Sequence, residues 1–335
     1  MQFTGRSASR FGGRSARLAR SFSILALAAS LTACGGGDTA TTGGDAAGGG
    51  ESVSGDIQID GSSTVFPISE AMAEEFQLAN PDVRVTVGVS GSGGGFKKFC
   101  AGETDISNAS RAIKEEEAAD CEANGVEFAE VPIAYDGITL VTNTENDWAQ
   151  CMTIEQLNTI WAPDSEGSVS NWSQVDPEFP DQALDLYGPG TDSGTFDYFT
   201  DEVNGEEGAS RGDYTASEDD NVIVTGVESS GGSLGYFGYA YYEENQGNLN
   251  AVEIENEDGT CIAPSSETIA DGSYNPMSRP LFIYVKKEAY ETKPQVKAFV
   301  DYQLASENGE LVKEAGYITL PDADLADSRS QVESM

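Results

Sequence analysis

The chain has 335 residues, 57 of them acidic and 18 basic, for a formal net charge of −39, and it contains no histidine. That balance excludes nucleic acid and anionic lipid surfaces as partners, since both require a basic face. The missing imidazole excludes Ser-His-Asp and Cys-His nucleophile systems and His-containing metal sites.

Residues 1–33 read as an export signal: an arginine-rich, acid-free start, an apolar stretch from Phe22 to Leu31, then small residues before Cys34. The placement of Leu31-Thr32-Ala33-Cys34 resembles a bacterial lipobox, which implies lipidation of Cys34; the alternative is a buried or disulfide-bonded thiol. Residues 34–55, rich in Gly, Ala, Thr and Asp, offer little to bury and read as a flexible tether. Cys100, Cys121, Cys151 and Cys261 remain, an even number suited to two disulfides in an exported chain. Three pairings are possible; the short span from Cys100 to Cys121 favours Cys100–Cys121 with Cys151–Cys261. Their spacing lacks the C-x-x-C pattern of a zinc site, and no metal is expected.

The body alternates strands and helices. Ile57 and Ile59 open a strand, and Ile68, Met72 and Phe76 recur at helical spacing up to Asn80-Pro81. Val83, Val85, Val87 and Val89 alternate as in a strand. Phe96 and Phe99 start a helix, Ile106 marks a short strand, and Lys114 to Glu122 a solvated helix. Val131-Pro132-Ile133 and Ile138 to Val141 read as two strands. Thr153 is placed to cap a helix from Glu155 to Trp161. Leu184 to Tyr187 is a strand, and Phe196, Phe199 and Val203 line the next helix. The alternation predicts α/β layers with mainly parallel sheets.

Three loops share one chemistry: Asp60 to Pro67, Ser90 to Gly95, and Gly188 to Thr195. Each follows a strand and opens a helix, at the edge of the sheet where α/β proteins bind ligands. The first turn of a helix carries free N–H groups and partial positive charge. Glycine lets a ligand approach the backbone, and Ser and Thr add hydroxyl donors. In a chain of this net charge, such a locally built cradle is how a small anion is held. None of the loops matches G-x-x-x-x-G-K-[ST], so no nucleoside triphosphate is expected.

The motifs GSSTVFP, SGSGGGFKKF, TDISNASRAIK and GPGTDSGTF, in this order, resemble the PstS family of phosphate-binding proteins of bacterial ABC importers, in its SphX-like branch. GASRGDYTASEDDNVIV and SLGYFGYAYYEEN extend the likeness, which spans about Ile57 to Leu320. It implies a type II periplasmic-binding-protein fold: two α/β lobes joined by a two-strand hinge, closing on the ligand. Lobe I would comprise 56–136 plus 238–325 and lobe II 137–237, with crossings near Tyr135-Asp136-Gly137 and Gly235-Tyr236-Phe237-Gly238.

Carried over by motif, the phosphate ligands would be Ser63, Thr64 and Val65 from the first loop, Ser92 from the second, and Ser193, Gly194 and Thr195 from the third. Arg111 stands where well-known members carry an aspartate. The arginine that those members place four residues before the serine matching Ser193 is Pro189 here. Arg111 is therefore the expected cation, and Arg211 a second candidate, the alternatives being ion pairs. With that aspartate gone, Asp136 is the expected acceptor for the phosphate proton; Asp60 and Asp192 are alternatives. Glu218, Asp219 and Asp220 lack calcium-loop spacing and read as a solvated turn. Tyr236, Tyr239, Tyr241 and Tyr242 read as packing and hinge residues.

The implied function is non-enzymatic capture of inorganic phosphate, without cofactor, by a monomer. The monomer would be exported to the periplasm or cell surface, touch the membrane only through its N-terminal lipid, and serve a membrane permease. A receptor for another oxyanion such as sulfate, a secreted phosphohydrolase, and a surface sensor are the competing readings.

Overall fold

The computed structural model describes residues 53–335 apart from 257. The expected export signal, Cys34 and the expected tether up to residue 52 lie outside that range. Strand β1 (Gly55–Gly61) alternates exposed and buried positions, with Ile57 and Ile59 inward. Helix α1 (Phe66–Ala79) carries Pro67 in its first turn, where no N–H is needed, and buries Ile68, Met72 and Phe76 one turn apart. Strand β2 (Val83–Val89) pairs parallel with β1. Helix α2 (Gly91–Cys100) begins inside the glycine run, five residues before the Phe96 start expected from sequence. Intrinsic propensity disfavours such a start. The reason is contact: a Cβ at Gly95 would lie 2.5 Å from Gly61 Cα, so only glycine lets this turn rest on the end of β1.

Strand β3 (Ile106–Ala109) pairs parallel with β1, and helix α3 (Glu115–Ala123) follows. The Cys100–Cys121 disulfide ties α2 to α3. The two strands expected around 131 and 138 are one, β4 (Phe128–Asn143). After β5 (Cys151–Met152) comes α4 (Ile154–Trp161), capped as expected: Thr153 Oγ1 accepts the Gln156 N–H at 3.1 Å, and the Gln156 side chain accepts the Thr153 N–H at 3.0 Å. Next come β6 (Asp185–Gly188), α5 (Gly194–Asn204), β7 (Thr215–Ala216), α6 (Asp220–Glu228), β8 (Ser233–Gly238) and α7 (Tyr239–Asn245). Asp219 caps α6 by accepting the Asn221 N–H, in keeping with a turn at 218–220. Strands β9 (Leu249–Ala251), β10 (Glu253–Glu255) and β11 (Cys261–Ile262) and helix α8 (Ser266–Ala270) lead to the long strand β12 (Ser278–Lys286). The second disulfide, Cys151–Cys261, joins β5 to β11 in a small three-stranded sheet. Both bridges are the favoured pairing. Helices α9 (Lys287–Thr292), α10 (Pro294–Gln303), α11 (Gly309–Glu314) and α12 (Asp322–Glu333) close the chain, with β13 (Ile318–Thr319) between the last two.

The main sheet runs β2-β1-β3-β12-β4-β8-β6-β7. Its two ends are parallel, but β12 is antiparallel to β3 and β4, and β4 to β8, so the sheet is mixed rather than mainly parallel. The cause is the chain's passage between two cores. Residues 128–137 of β4 pair with β12, and 138–142 pair with β8. Ile57, Met72, Phe76, Val131, Ile283 and Phe299 belong to one core; Ile138, Leu140, Trp161, Phe199, Tyr236 and Tyr274 belong to the other.

The outward passage between the two cores falls at Gly137-Ile138. The return falls elsewhere than expected. Strand β8, expected as the second crossing, is buried and pairs with β4, and Tyr239, Val252, Ile254, Ile269, Tyr274 and Met277 pack in the second core. The chain returns at Met277-Ser278, where Ile138 N–H donates to Met277 O at 2.9 Å. Tyr236 is a packing residue, stacked on Phe199 at 3.9 Å between ring centres.

Candidate functional site

At the first junction, Gly61 adopts φ +146°, and a Cβ there would meet the Asn108 carbonyl oxygen at 2.1 Å. Glycine is thus required for β1 to end against β3. The Ser62 N–H donates to Asn108 O at 3.0 Å, and Ser62 O accepts from the Phe66 N–H. The N–H groups of Ser63, Thr64 and Val65 find no acceptor among the described residues. They form an open donor row at the start of α1.

At the second junction, Ser90 N–H donates to Gly61 O at 3.0 Å and its hydroxyl to Asp60. Lys98 Nζ also holds Asp60, at 2.6 Å. Asp60 is therefore committed to fixing this loop. Ser92 Oγ accepts the Ser110 N–H at 3.1 Å and shares a hydrogen bond with Ser110 Oγ at 3.2 Å; where the Ser110 hydroxyl donates, the Ser92 proton is left for the cleft.

At the third junction, Ser193 caps α5 by accepting the Thr195 N–H at 3.2 Å. A Cβ at Gly194 would lie 2.5 Å from Thr64 Oγ1. The first turn of α5 therefore rests directly on the first loop, and only glycine permits that approach. Asp192 is exposed.

A cleft of about 740 Å³ opens between these elements. It is lined by Ser62, Ser63, Thr64, Ser90, Ser92 and Ser110, by the cations Arg111, Lys114 and Arg279, and by Asp197, Tyr198, Asp201 and Glu202 of α5 with Glu207 after it. The lining thus mixes cations with carboxylates. Burial, with the nearby Glu207 charge, lifts the Asp197 carboxyl to about 6, and burial together with Asp201 raises Glu202.

Of the expected ligands, Ser63, Thr64, Ser92 and Arg111 line this cleft. Val65 is fully buried, with its N–H in the donor row, and Ser193 and Gly194 sit at the α5 start against Thr64. Asp136 and Thr195 instead line a smaller cavity of about 300 Å³ beside Lys313 and Tyr317. Arg111 spans the Glu117 carboxylate with both terminal nitrogens, at 2.8 Å each. Arg211 is not brought to the site. It is 4 % exposed, donates through Nη1 to the carbonyls of Ile160 and Val169 at 2.9 Å, and pairs with Asp213, whose carboxyl its hydrogen bonds pull down to about 2. There the structure shows the ion pair, with Nε, both Nη1 protons and one Nη2 proton already engaged by Asp213 and the two carbonyls.

The residue missed by sequence reasoning is Arg279. Its Nη2 donates to Thr64 Oγ1 at 3.1 Å, to Asp136 Oδ2 at 3.1 Å and to Gly194 O at 3.4 Å, and its guanidinium carbon lies 3.7 Å from the Tyr198 ring centre. The signal was a lone cation in SRPLFIYV, opening an otherwise apolar strand; a charge so placed needs a buried partner. That partner is Asp136, whose carboxyl is pushed up by burial and drawn back by Arg279.

Comparison with known proteins bears on what this cleft holds. A PBP superfamily domain matches residues 46–307. Protein SphX of Synechococcus elongatus is 48% identical over 265 residues, 79% of this chain and 77% of its own. The phosphate-binding protein PstS of Staphylococcus saprophyticus is 38% identical over 283 residues, 84% of this chain and 85% of its own. The chain belongs to the SphX–PstS family of the PBP superfamily. Among solved structures, a possible phosphate binding protein from Planctomyces limnophilus superposes with a TM-score of 0.81 at 48% identity, over 84% of this chain and 99% of that one. An ABC-type phosphate transport receptor from Vibrio cholerae gives 0.64 at 25% identity, over 79% and 100%. The fold of this SphX–PstS member is the type II periplasmic-binding-protein fold.

Proposed function

We propose that this protein is an extracytoplasmic receptor that captures inorganic phosphate between two lobes and delivers it to the membrane permease of an ABC importer. The observation that carries this reading is one cleft lined by Ser63 and Thr64, whose N–H groups find no acceptor among the described residues, by Ser92, and by the cations Arg111, Lys114 and Arg279. Neutral N–H and O–H donors arranged this way hold a tetrahedral oxyanion without reorganising. The relatives point to the anion, since a protein named as phosphate-binding is 38% identical over 283 residues, 84% of this chain. The lobes are 56–136 with 278–325, and 137–277. The chain acts as a binder without cofactor and without turnover, as a monomer held at the membrane by lipid on Cys34.

Phosphate near neutral pH keeps a proton that sulfate lacks, so a carboxylate facing the anion accepts from the first and repels the second. Asp136 is engaged by Arg279 and lies off the main cleft, so this role passes to Asp197, half-buried in the cleft lining. Calorimetric titration with phosphate and sulfate tests the reading: tighter phosphate binding at one site per chain is expected, and tighter sulfate binding rejects it.

A further inference from the structure

We infer that Arg279, held by Asp136, is the cation that takes the anion's charge in this cleft, and that the same guanidinium couples capture to contact between the lobes. The inference rests on the phosphate reading and deepens it. Arg279 stands one residue past the return crossing, at the start of β12. Its Nε and Nη2 both converge on one oxygen of Asp136, at 3.2 and 3.1 Å, so the pair is not the two-oxygen fork that Arg111 makes with Glu117 through both terminal nitrogens. Nη1 has no acceptor among the described residues, while the side chain lines the cleft and is 15% exposed. A guanidinium has five donors and no acceptor, and its planar fork suits two oxygens of a phosphate.

The contact with Thr64 adds direction. A threonine hydroxyl that accepts from Arg279 has its own proton left to give, and no acceptor among the described residues takes it. Arg279 thereby orients Thr64 as a donor to the cleft. The remaining contacts reach across: Thr64 belongs to the first lobe's loop, Gly194 and Tyr198 to α5 of the second, and Asp136 to the crossing strand β4. One side chain senses the anion, the hinge strand and the closing helix together.

The test uses calorimetric titration of the full chain with inorganic phosphate and with sulfate, beside thermal melts. Arg279→Gln is expected to weaken anion binding at least about 100-fold, with Arg279→Lys between it and the parent chain, because charge is kept and the fork lost. The deciding variant is Asp136→Asn with Arg279→Gln. It removes the buried carboxylate along with its partner, so the melting temperature recovers while binding stays lost. Recovery of binding to within threefold of the parent chain would overturn the inference, since Arg279 would then serve only to neutralise Asp136. A parent chain that binds sulfate but not phosphate rejects the phosphate reading alone, and the same variants then decide the role of Arg279 on sulfate. A parent chain that binds neither anion overturns both.

Discussion

Arg279 Nη2 lies 3.1 Å from Thr64 Oγ1 and 3.1 Å from Asp136 Oδ2, so a single guanidinium joins the loop before α1 to the strand on which the chain passes between its two cores. The Thr64 hydroxyl is thus both an acceptor inside the protein and a donor to the cleft. Thr64→Val keeps the shape and removes both bonds. A net hydrogen bond contributes about 1–1.5 kcal/mol, so phosphate affinity should fall roughly tenfold, read by calorimetry. Unchanged affinity would place the anion away from the first loop.

Gly194 gives a second prediction. A Cβ there meets Thr64 Oγ1 at 2.5 Å and Thr64 Cα at 3.0 Å, and backbone cannot yield as a side-chain tip can. Gly194→Ala should push the start of α5 off the first loop, at a cost of about 1–3 kcal/mol typical of overpacking. Phosphate binding should weaken along with stability. A variant with both properties unchanged would show that these two loops do not meet.

Arg211 separates structure from binding. Removing it leaves the carbonyls of Ile160 and Val169 without their donor in a buried setting. Arg211→Gln should lower stability by about 2–4 kcal/mol in urea unfolding. Phosphate affinity of the folded variant should stay within about threefold, a difference of under 1 kcal/mol.

Asp197 predicts selectivity. Asp197→Asn should weaken phosphate more than sulfate, because it removes an acceptor for the phosphate proton and a charge that repels sulfate. Equal effects on the two anions would remove Asp197 from that role.

The same carboxyl predicts a pH dependence. Burial lifts it to about 6. A carboxyl raised on folding binds its proton more tightly when folded, so ionising it opposes the fold. The penalty is absent below about pH 4, grows as pH rises towards about 6, and is complete above. Asp197→Asn should therefore raise the melting temperature at about pH 8 and leave it unchanged at about pH 3.5, modestly because the group is half-exposed. A gain at low pH and none at high pH would contradict the assigned environment.

What the sequence disclosed and what it hid follow from range. The three strand-to-helix junctions were visible because glycine and hydroxyl residues there are a local signature, and Thr153 showed its cap the same way. The valine alternation of β2 and the Cys100–Cys121 span are equally local. The return crossing was hidden because it depends on Ile138 meeting Met277, a pairing with no local mark, whereas the Gly-Tyr run at 235–238 looks like a hinge and is a buried strand. Arg279 was missed because its meaning lies in partners at positions 64, 136 and 194. Arg211 misled for the converse reason: a serine-arginine-glycine motif reads as a ligand loop until its donors are found in use.

The central claim is that this cleft is built for phosphate. Calorimetric titration of the full chain with phosphate and sulfate at neutral pH tests it most directly. One phosphate bound per chain, more tightly than sulfate, is the predicted result; tighter sulfate binding, or no phosphate binding, would contradict it.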